Sequence, residues 1–316
     1  MVGRLDVKGY KALREVSVPF TPFTLFIGPN GCGKSSLLEA LQLLQNDAPS
    51  DLDVSQRSVG VSSQDWEIVA HLEPPGHPTD RMVKNYSGVA SDLPLLPSLR
   101  VRSYSFNANK IALPCQIAIG VRLGPEGEGL AACWDQLRDQ QPEQFELLTK
   151  AVREVLPEYD RLLLKTVGQG TKVFELRTLE GGHAIPAHQL SHGTRLALAL
   201  LTLNYLPERP DILCLEEPDQ GLHPRLLRDV QDVLYRLSYP EDGRRPVQVV
   251  ATTHNPYFLE LFRDHPEEVV IGSKQGLGAS FSRLLDLPNA EEILQDTALG
   301  ECWYSGLLGG VPLPVL

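Results

Sequence analysis

A glycine-rich loop constrains this chain more than any other feature of its sequence. Residues 28–35 read Gly-Pro-Asn-Gly-Cys-Gly-Lys-Ser, which has the spacing G-x-x-x-x-G-K-[ST], and the apolar run 23–27 comes directly before it. Apolar residues then recur at helical spacing, so the sequence predicts a strand, a loop and a helix in this order. Such a loop gathers backbone N–H groups around phosphate oxygens at a helix N-terminus, whose dipole favours anions. A chance glycine turn would not account for both flanking elements.

Each residue type in the loop has a predicted task. We expect the nucleotide to contact Asn30, Gly31, Cys32, Gly33, Lys34, Ser35 and Ser36. Lys34 is predicted to place a positive charge near the β and γ phosphates and so to assist catalysis, while Ser35 offers a hydroxyl to Mg²⁺. The predicted cofactors are therefore ATP and Mg²⁺. We also expect Lys34 to be exposed when the site holds no nucleotide.

Two later apolar runs end in ionisable residues. Residues 211–215 lead into Glu216 and Glu217, and residues 246–253 lead into His254. As buried parallel strands, both runs would deliver these side chains to the carboxyl edge of a sheet. Glu216 is predicted to hold Mg²⁺ through water, Glu217 to polarise the attacking water and His254 to sense the γ-phosphate. Taken alone, the patterns also fit a solvated acid pair and a structural histidine.

A polar segment precedes the most apolar helical pattern of the chain. Ser191, His192, Gly193 and Thr194 come immediately before a run rich in leucine and alanine. Serine and threonine are ordinary helix caps, so this segment by itself indicates only the start of a helix.

The order of these motifs along the chain indicates one class of protein more strongly than any single motif does. In this order they resemble the motifs of ABC-type ATPase heads, and most closely those of the RecF/SMC/OLD-like branch of bacterial AAA-family ATPases. Residues 216–224, Glu-Glu-Pro-Asp-Gln-Gly-Leu-His-Pro, carry most of this resemblance, and residues 5–13 resemble the first strand of RecF-like heads. The implied fold is an α/β P-loop ABC-type ATPase head with a mostly parallel sheet, flanking helices and an antiparallel β lobe. It implies a single domain over residues 1–316, with an inserted lobe at about 46–185.

The resemblance also implies a mechanism. Residues 191–194 would be the signature motif, whose Ser191 and Gly193 meet the γ-phosphate bound by a second copy of the chain. ATP would then hold a homodimer together, and hydrolysis would release it. The implied setting is DNA repair and maintenance or antiphage defence. Because the chain has no visible nuclease motif, an effector such as a nuclease would be a separate polypeptide. The alternatives are a nucleotide-gated scaffold with negligible turnover and the ATPase subunit of a transporter.

The sequence departs from the family pattern at two points. The first acid after the strand is Glu216 where many relatives have aspartate, which lengthens the reach of the carboxylate. The signature segment reads Ser-His-Gly-Thr-Arg, and transporters have Ser-Gly-Gly-Gln there.

Composition and net charge indicate which partners and which cellular compartment can be expected for this chain. The net charge is −11, from 29 basic and 40 acidic residues, which argues against a protein that coats nucleic acid by bulk electrostatics. No apolar run approaches the roughly 20 residues that a membrane span requires. The five cysteines are scattered without C-x-x-C spacing and indicate reduced thiols. We therefore expect a cytoplasmic protein without a membrane partner.

The remaining pattern predicts the following elements. Residues 1–27 are expected to form the antiparallel lobe, residues 46–64 a polar connection, and residues 65–73 a strand. Little regular structure is expected over residues 74–97. Further along the chain, we expect two helices over residues 130–156, a hairpin of residues 162–167 and 173–179, and a helix after Pro224.

Overall fold

The computed structural model describes residues 1–45, 66–72, 80–86, 99–118, 120–276, 278–288 and 290–309. The chain forms two compact units. The first unit comprises residues 1–103, 210–217 and 238–316, and the second comprises residues 104–209 and 218–237. The polar connection predicted for residues 46–64 lies outside the described residues. The single domain with an inserted lobe at about 46–185 stays a prediction.

A six-stranded sheet organises the first unit. Its strands are β3 (Phe23–Ile27), β6 (Val101–Tyr104), β11 (Ile212–Leu215), β12 (Gln248–Thr252), β13 (Val269–Gln275) and β14 (Gly278–Arg283). They follow the order β14-β13-β3-β12-β11-β6, in which β13, β3, β12 and β11 are parallel neighbours. All residues of β3, β11 and β12 are buried. Burial on both faces explains why these strands are continuous apolar runs in the sequence.

A second, antiparallel sheet completes the β structure of the first unit. Its strands are β1 (Val2–Tyr10), β2 (Leu13–Pro19), β4 (Trp66–Leu72) and β5 (Asp80–Tyr86), in the order β2-β1-β4-β5. The predicted lobe at the N-terminus is confirmed for β1 and β2, but β3 belongs to the parallel sheet. The strand predicted at residues 65–73 is β4.

The expectation of little regular structure over residues 74–97 is wrong for β5. This strand pairs along its length with β4, from Trp66 opposite Tyr86 to Leu72 opposite Asp80. Pairing with a neighbouring strand outweighs the weak strand signal of the local sequence. The flanking residues 74–79 and 87–97 lie outside the described part of the chain.

The helices of the first unit are α1 (Lys34–Gln42), α7 (Pro256–Glu260), α8 (Ala290–Asp296) and α9 (Leu299–Tyr304), with short 3₁₀ turns at Pro266–Glu268 and Leu284–Asp286. Leu37, Leu38 and Leu41 of α1 are buried and share one apolar cluster with β1, β2, β4 and the large sheet. This packing fixes α1 directly behind the glycine-rich loop.

The second unit combines helices with a small antiparallel sheet. Its helices are α2 (Ala108–Ile111), α3 (Leu130–Gln140), α4 (Pro142–Val155), α5 (His192–Thr202) and α6 (Pro224–Ser238), with 3₁₀ turns at Ala187–Gln189 and Leu203–Tyr205. Its strands are β7 (Cys115–Gln116), β8 (Tyr159–Val167), β9 (Thr171–Thr178) and β10 (Ala184–Pro186). The predicted helix pair (α3 and α4), the hairpin (β8 and β9) and the helix that begins at Pro224 (α6) are therefore confirmed. Trp134 lies in the core, where its indole donates to Thr202 Oγ1 at 2.9 Å.

Within the part of the chain that the structure describes, no helix is long and apolar enough to cross a membrane.

Candidate functional site

Three adjacent strands of the large sheet end at the candidate site. β3 leads into the glycine-rich loop, β11 into Glu216 and Glu217, and β12 into His254. The parallel register sets Phe26 opposite Thr252, and Leu215 opposite Ala251. Because parallel strands end at the same edge, the sheet brings the three predicted motifs together.

The loop depends on glycine at two positions with left-handed backbone. Gly31 has a φ of 75° and Gly33 a φ of 95°. At Gly33 a Cβ atom would lie 3.0 Å from Ala279 Cβ and 3.1 Å from Leu13 Cδ2, so the space is also closed. Helix α1 starts immediately after Gly33, and its free N–H groups face the loop. This is the geometry of a phosphate cradle.

The start of the loop is fitted against strand β13. A Cβ atom on Gly28, whose φ is 154°, would lie 2.5 Å from the carbonyl oxygen of Gly272 and 2.7 Å from Cys32 Sγ. A Cβ atom on Gly272 would lie 2.9 Å from the same sulfur atom. Cys32 is completely buried, so its predicted contact with the nucleotide is limited to its backbone. Of the other predicted contact residues, Asn30 and Ser35 are exposed and Ser36 is half-buried.

Lys34 is buried, with only 8% of its surface accessible, and the expectation that it is exposed is wrong. Its ammonium folds back onto the loop, where Nζ donates to the carbonyl oxygens of Gly28 at 2.7 Å and Pro29 at 3.1 Å. These acceptors satisfy the charge without a phosphate. Burial lowers the pKa of Lys34, while Cys32, Glu217 and Glu216 act in the opposite direction.

Ser35 and Glu216 meet in this structure. The Ser35 hydroxyl donates to Oε1 of Glu216, which joins the first turn of α1 to the end of β11. Among the described residues, no three His, Cys, Asp or Glu side chains form a metal-binding group. Mg²⁺ needs few protein ligands beside phosphates and water, so one hydroxyl and one carboxylate suit it. The donor set therefore fits the predicted ion.

Glu217 has an unusual backbone conformation. Its φ is 45°, and Lys11 is the other described non-glycine residue with a positive φ. The left-handed region costs an L-residue roughly 1–2 kcal/mol, so its neighbours must stabilise it. The N–H of Glu217 donates to Thr252 Oγ1 at 3.1 Å, and Thr252 is buried at the end of β12. Sequence reasoning missed Thr252, because a threonine inside an apolar run resembles any other β-branched strand residue.

His254 lies beside Glu217. The distance from His254 Nε2 to Glu217 Oε1 is 3.6 Å, and about a third of each side chain is exposed. Burial, assisted by the positive charge of Lys34, lowers the pKa of His254 below its ordinary value, although Glu217 opposes this shift. The lowered pKa favours the neutral imidazole.

The predicted signature segment, residues 191–194, lies in the second unit and begins α5, as its sequence predicts. Ser191 is the N-cap, and its Oγ accepts from the Thr194 N–H at 3.1 Å and lies 2.7 Å from the Thr194 hydroxyl. Gly193 packs closely, because a Cβ atom there would lie 3.2 Å from the carbonyl oxygen of Gly221. The stretch Glu216–Pro224 therefore supports the signature segment through Gly221.

An open groove of about 680 Å³ runs beside this segment. Its lining includes Ser191, His192, Gly193, His223 and Arg225. The two histidines and Arg225 are exposed, and Glu158 also contributes to the wall. The groove thus presents the N-terminus of α5 and the charged side chains of Arg225 and Glu158 to solvent.

Two family models match the chain. Residues 1–74 match the model described as "AAA ATPase domain". Residues 133–260 match the model described as "AAA domain, putative AbiEii toxin, Type IV TA system". The two models thus account for separate parts of the chain.

A curated relative and two solved structures extend these matches. The OLD nuclease of Thermus scotoductus is 23% identical over an alignment that covers 83% of this chain but 60% of the nuclease. The SMC head domain of Thermotoga maritima has a TM-score of 0.50 at 14% identity, covering 89% of this chain and 98% of that one. The Smc head domain of Pyrococcus yayanosii, with a coiled coil and joint, has a TM-score of 0.51 at 11% identity, covering 93% and 99%. These matches confirm the fold class and the resemblance drawn from the motifs.

Proposed function

We propose that this chain, an ATPase head of the ABC/SMC/OLD-like AAA type, binds and hydrolyses ATP, dimerises around it and thereby switches a partner protein. The meeting of Ser35 with Glu216 carries the proposal, since it joins the P-loop helix to the acid-tipped strand. These are the two elements that must cooperate on one nucleotide.

The residues at the sheet edge support hydrolysis. Lys34 is expected to exchange the carbonyl oxygens of Gly28 and Pro29 for phosphate oxygens when ATP binds. Glu217 accepts a hydrogen bond from the attacking water and orients it towards the γ-phosphate. Neutral His254 donates or accepts a hydrogen bond beside Glu217. Mg²⁺, when held by Ser35 and Glu216, supplies charge neutralisation at the β and γ phosphates.

The proposed dimer rests on the signature segment. Ser191 and Gly193 stand at the N-terminus of an eleven-residue helix, beside an open groove. We infer that this surface receives the γ-phosphate of ATP bound to a second copy. Nucleotide then becomes part of the interface, and hydrolysis weakens the dimer.

The proposed partner is an effector in DNA maintenance or antiphage defence. The OLD relative is named a nuclease, and one matching family model is described as belonging to a Type IV TA system. This chain spans 60% of that nuclease, so the activity of the whole nuclease is not carried over to it. The net charge of −11 favours a protein partner over a nucleic acid coat.

Two measurements on the purified chain test this proposal. ATP turnover with Mg²⁺ is expected to exceed that of the Lys34→Ala variant, and light scattering should show a mass increase to a dimer when ATP is added. Turnover equal to that of the Lys34→Ala chain would reject hydrolysis and favour the nucleotide-gated scaffold. A constant monomer mass with saturating ATP would reject the ATP-held dimer.

A further inference from the structure

The hydroxyl of Thr252 stabilises the backbone of Glu217 in a conformation that glutamate does not favour. Glu217 follows β11, which ends at Leu215, so its N–H lies beyond the parallel ladder. With a φ of 45°, the backbone turns out of the strand direction at this residue. Oγ1 of Thr252 accepts the N–H at 3.1 Å and so takes the place of a ladder carbonyl.

The position of Thr252 explains why this contact matters at the site. Thr252 is 1% exposed and ends β12, and two residues later the same chain segment presents His254. Its hydroxyl holds the main chain of Glu217, while the Glu217 carboxylate lies 3.6 Å from the His254 ring. One strand end therefore places His254 directly and Glu217 through a side-chain hydrogen bond.

We propose that Thr252 is a positioning residue for hydrolysis, because its Oγ1 fixes the left-handed backbone of Glu217 and thus the direction of the carboxylate. This inference rests on the proposed function, in which Glu217 orients water. Thr252 does not contact the nucleotide in this proposal. It acts on the rate of hydrolysis and not on ATP affinity.

Three variants separate this role from general packing. Thr252→Val removes the acceptor and keeps the branched shape, whereas Thr252→Ser keeps the acceptor. Thr24→Val is the matched control, since Thr24 is equally buried and its Oγ1 also accepts a backbone N–H, from Thr21, away from the site. Melting temperatures and circular dichroism establish that each variant is folded.

We expect Thr252→Val to lower kcat by about 10- to 100-fold with little change in KM, as a misplaced catalytic group does. Thr252→Ser should keep most of the activity, and Thr24→Val should match the native chain in kcat. In a Glu217→Gln background, Thr252→Val should add less than about a twofold loss, because both changes act through one group. Native kcat in Thr252→Val, or an additive loss in the double variant, would overturn the proposal.

A readout without nucleotide keeps this test independent of the ATPase assignment. Hydrogen exchange of the Glu217 amide, followed by NMR on protein labelled with ¹⁵N-glutamate, should speed up at least about tenfold in Thr252→Val but not in Thr252→Ser or Thr24→Val. Unchanged exchange in Thr252→Val would overturn the role of the hydroxyl even in an active enzyme. Faster exchange in a chain that hydrolyses no ATP would instead show that the proposed function had failed.

Discussion

The strand-end edge of the first unit and the signature segment of the second unit differ in where their polar groups find partners. At the edge, two hydrogen bonds join residues that are far apart in the sequence: the Ser35 hydroxyl donates to Glu216, and the Glu217 N–H donates to Thr252 Oγ1. In the signature segment, Ser191 bonds to Thr194 within the same helix start. The sheet thus brings distant residues together at the edge, whereas the hydrogen bonds of Ser191 in the signature segment are made within one helix start.

Because of this difference, substitutions in the two regions should affect ATP hydrolysis in different ways. A substitution at the edge changes groups that are proposed to act on the ATP of their own chain, so the change in ATP hydrolysis should be seen in that chain. A substitution in the signature segment leaves the edge of its own chain intact. Its effect on ATP hydrolysis should therefore depend on a second copy of the chain.

Lys34→Ala should have the largest effect. We expect turnover to fall at least about 100-fold, because the charge that meets the β and γ phosphates is lost. Since Lys34 is buried and bonded to the carbonyl oxygens of Gly28 and Pro29, the unfolding free energy should also fall by about 1 kcal/mol. ATPase assays and urea unfolding measure both quantities. Lys8→Ala, at an exposed residue of β1, is the control, and native turnover in Lys34→Ala would remove the P-loop assignment.

Glu217→Gln should separate binding from hydrolysis at the edge. The amide keeps the shape but cannot act as a base, so we expect turnover to fall about 100-fold while ATP binding remains and the dimer accumulates. Glu216→Gln should instead raise the Mg²⁺ concentration needed for binding. Titrations with ATP and Mg²⁺, together with light scattering, distinguish the two variants. Normal turnover in Glu217→Gln would show that the catalytic assignment is wrong.

A mixing experiment compares the two regions directly. Gly193→Glu should block close approach of the signature backbone, and this variant alone should be inactive, as should Lys34→Ala. In their heterodimer one composite site carries both defects and the other carries neither, so an equal mixture should recover up to about a quarter of native turnover. Because Gly193 packs against Gly221, the melting temperature of Gly193→Glu must be checked first. No recovery in mixtures shown to contain heterodimers would contradict action in trans.

The smallest expected effect concerns acid stability. Burial holds the folded-state pKa of His254 below the unfolded value of about 6.5, so protonation opposes folding. Stability that is present above about pH 6.5 should therefore be lost as the pH falls through the folded pKa. His254→Gln should lose less stability than the native chain between pH 7 and pH 5, as measured by urea unfolding. His183→Gln, at an exposed histidine, should behave like the native chain. Equal acid sensitivity of His254→Gln and the native chain would contradict this origin.

Much of the edge could be predicted because its residues follow directly from strand ends. Once β3, β11 and β12 are recognised as buried apolar runs, their shared direction places the loop, Glu216 and His254 at one edge. The helix cap at Ser191 could be predicted equally well, because the capping residue and the helix that it begins are adjacent in the sequence.

The contacts that the sequence did not reveal join residues far apart in the chain. The burial of Lys34 depends on how the loop carbonyls turn, and residue types do not determine that direction. Thr252 is visible only when β12 is placed beside the end of β11. The chain also passes between the two compact units more than once, so each unit is built from segments that are distant in the sequence.

The fit between Gly28, Cys32 and Gly272 has a consequence for how this sequence can diverge. Gly272 belongs to no motif, yet any side chain there would meet the sulfur atom of Cys32, and any side chain at Gly28 would meet the Gly272 carbonyl. Homologous chains should therefore change positions 32 and 272 together, with a smaller residue at one accompanying a larger residue at the other. Covariation between these two positions would mark heads that pack the loop against β13 as this one does.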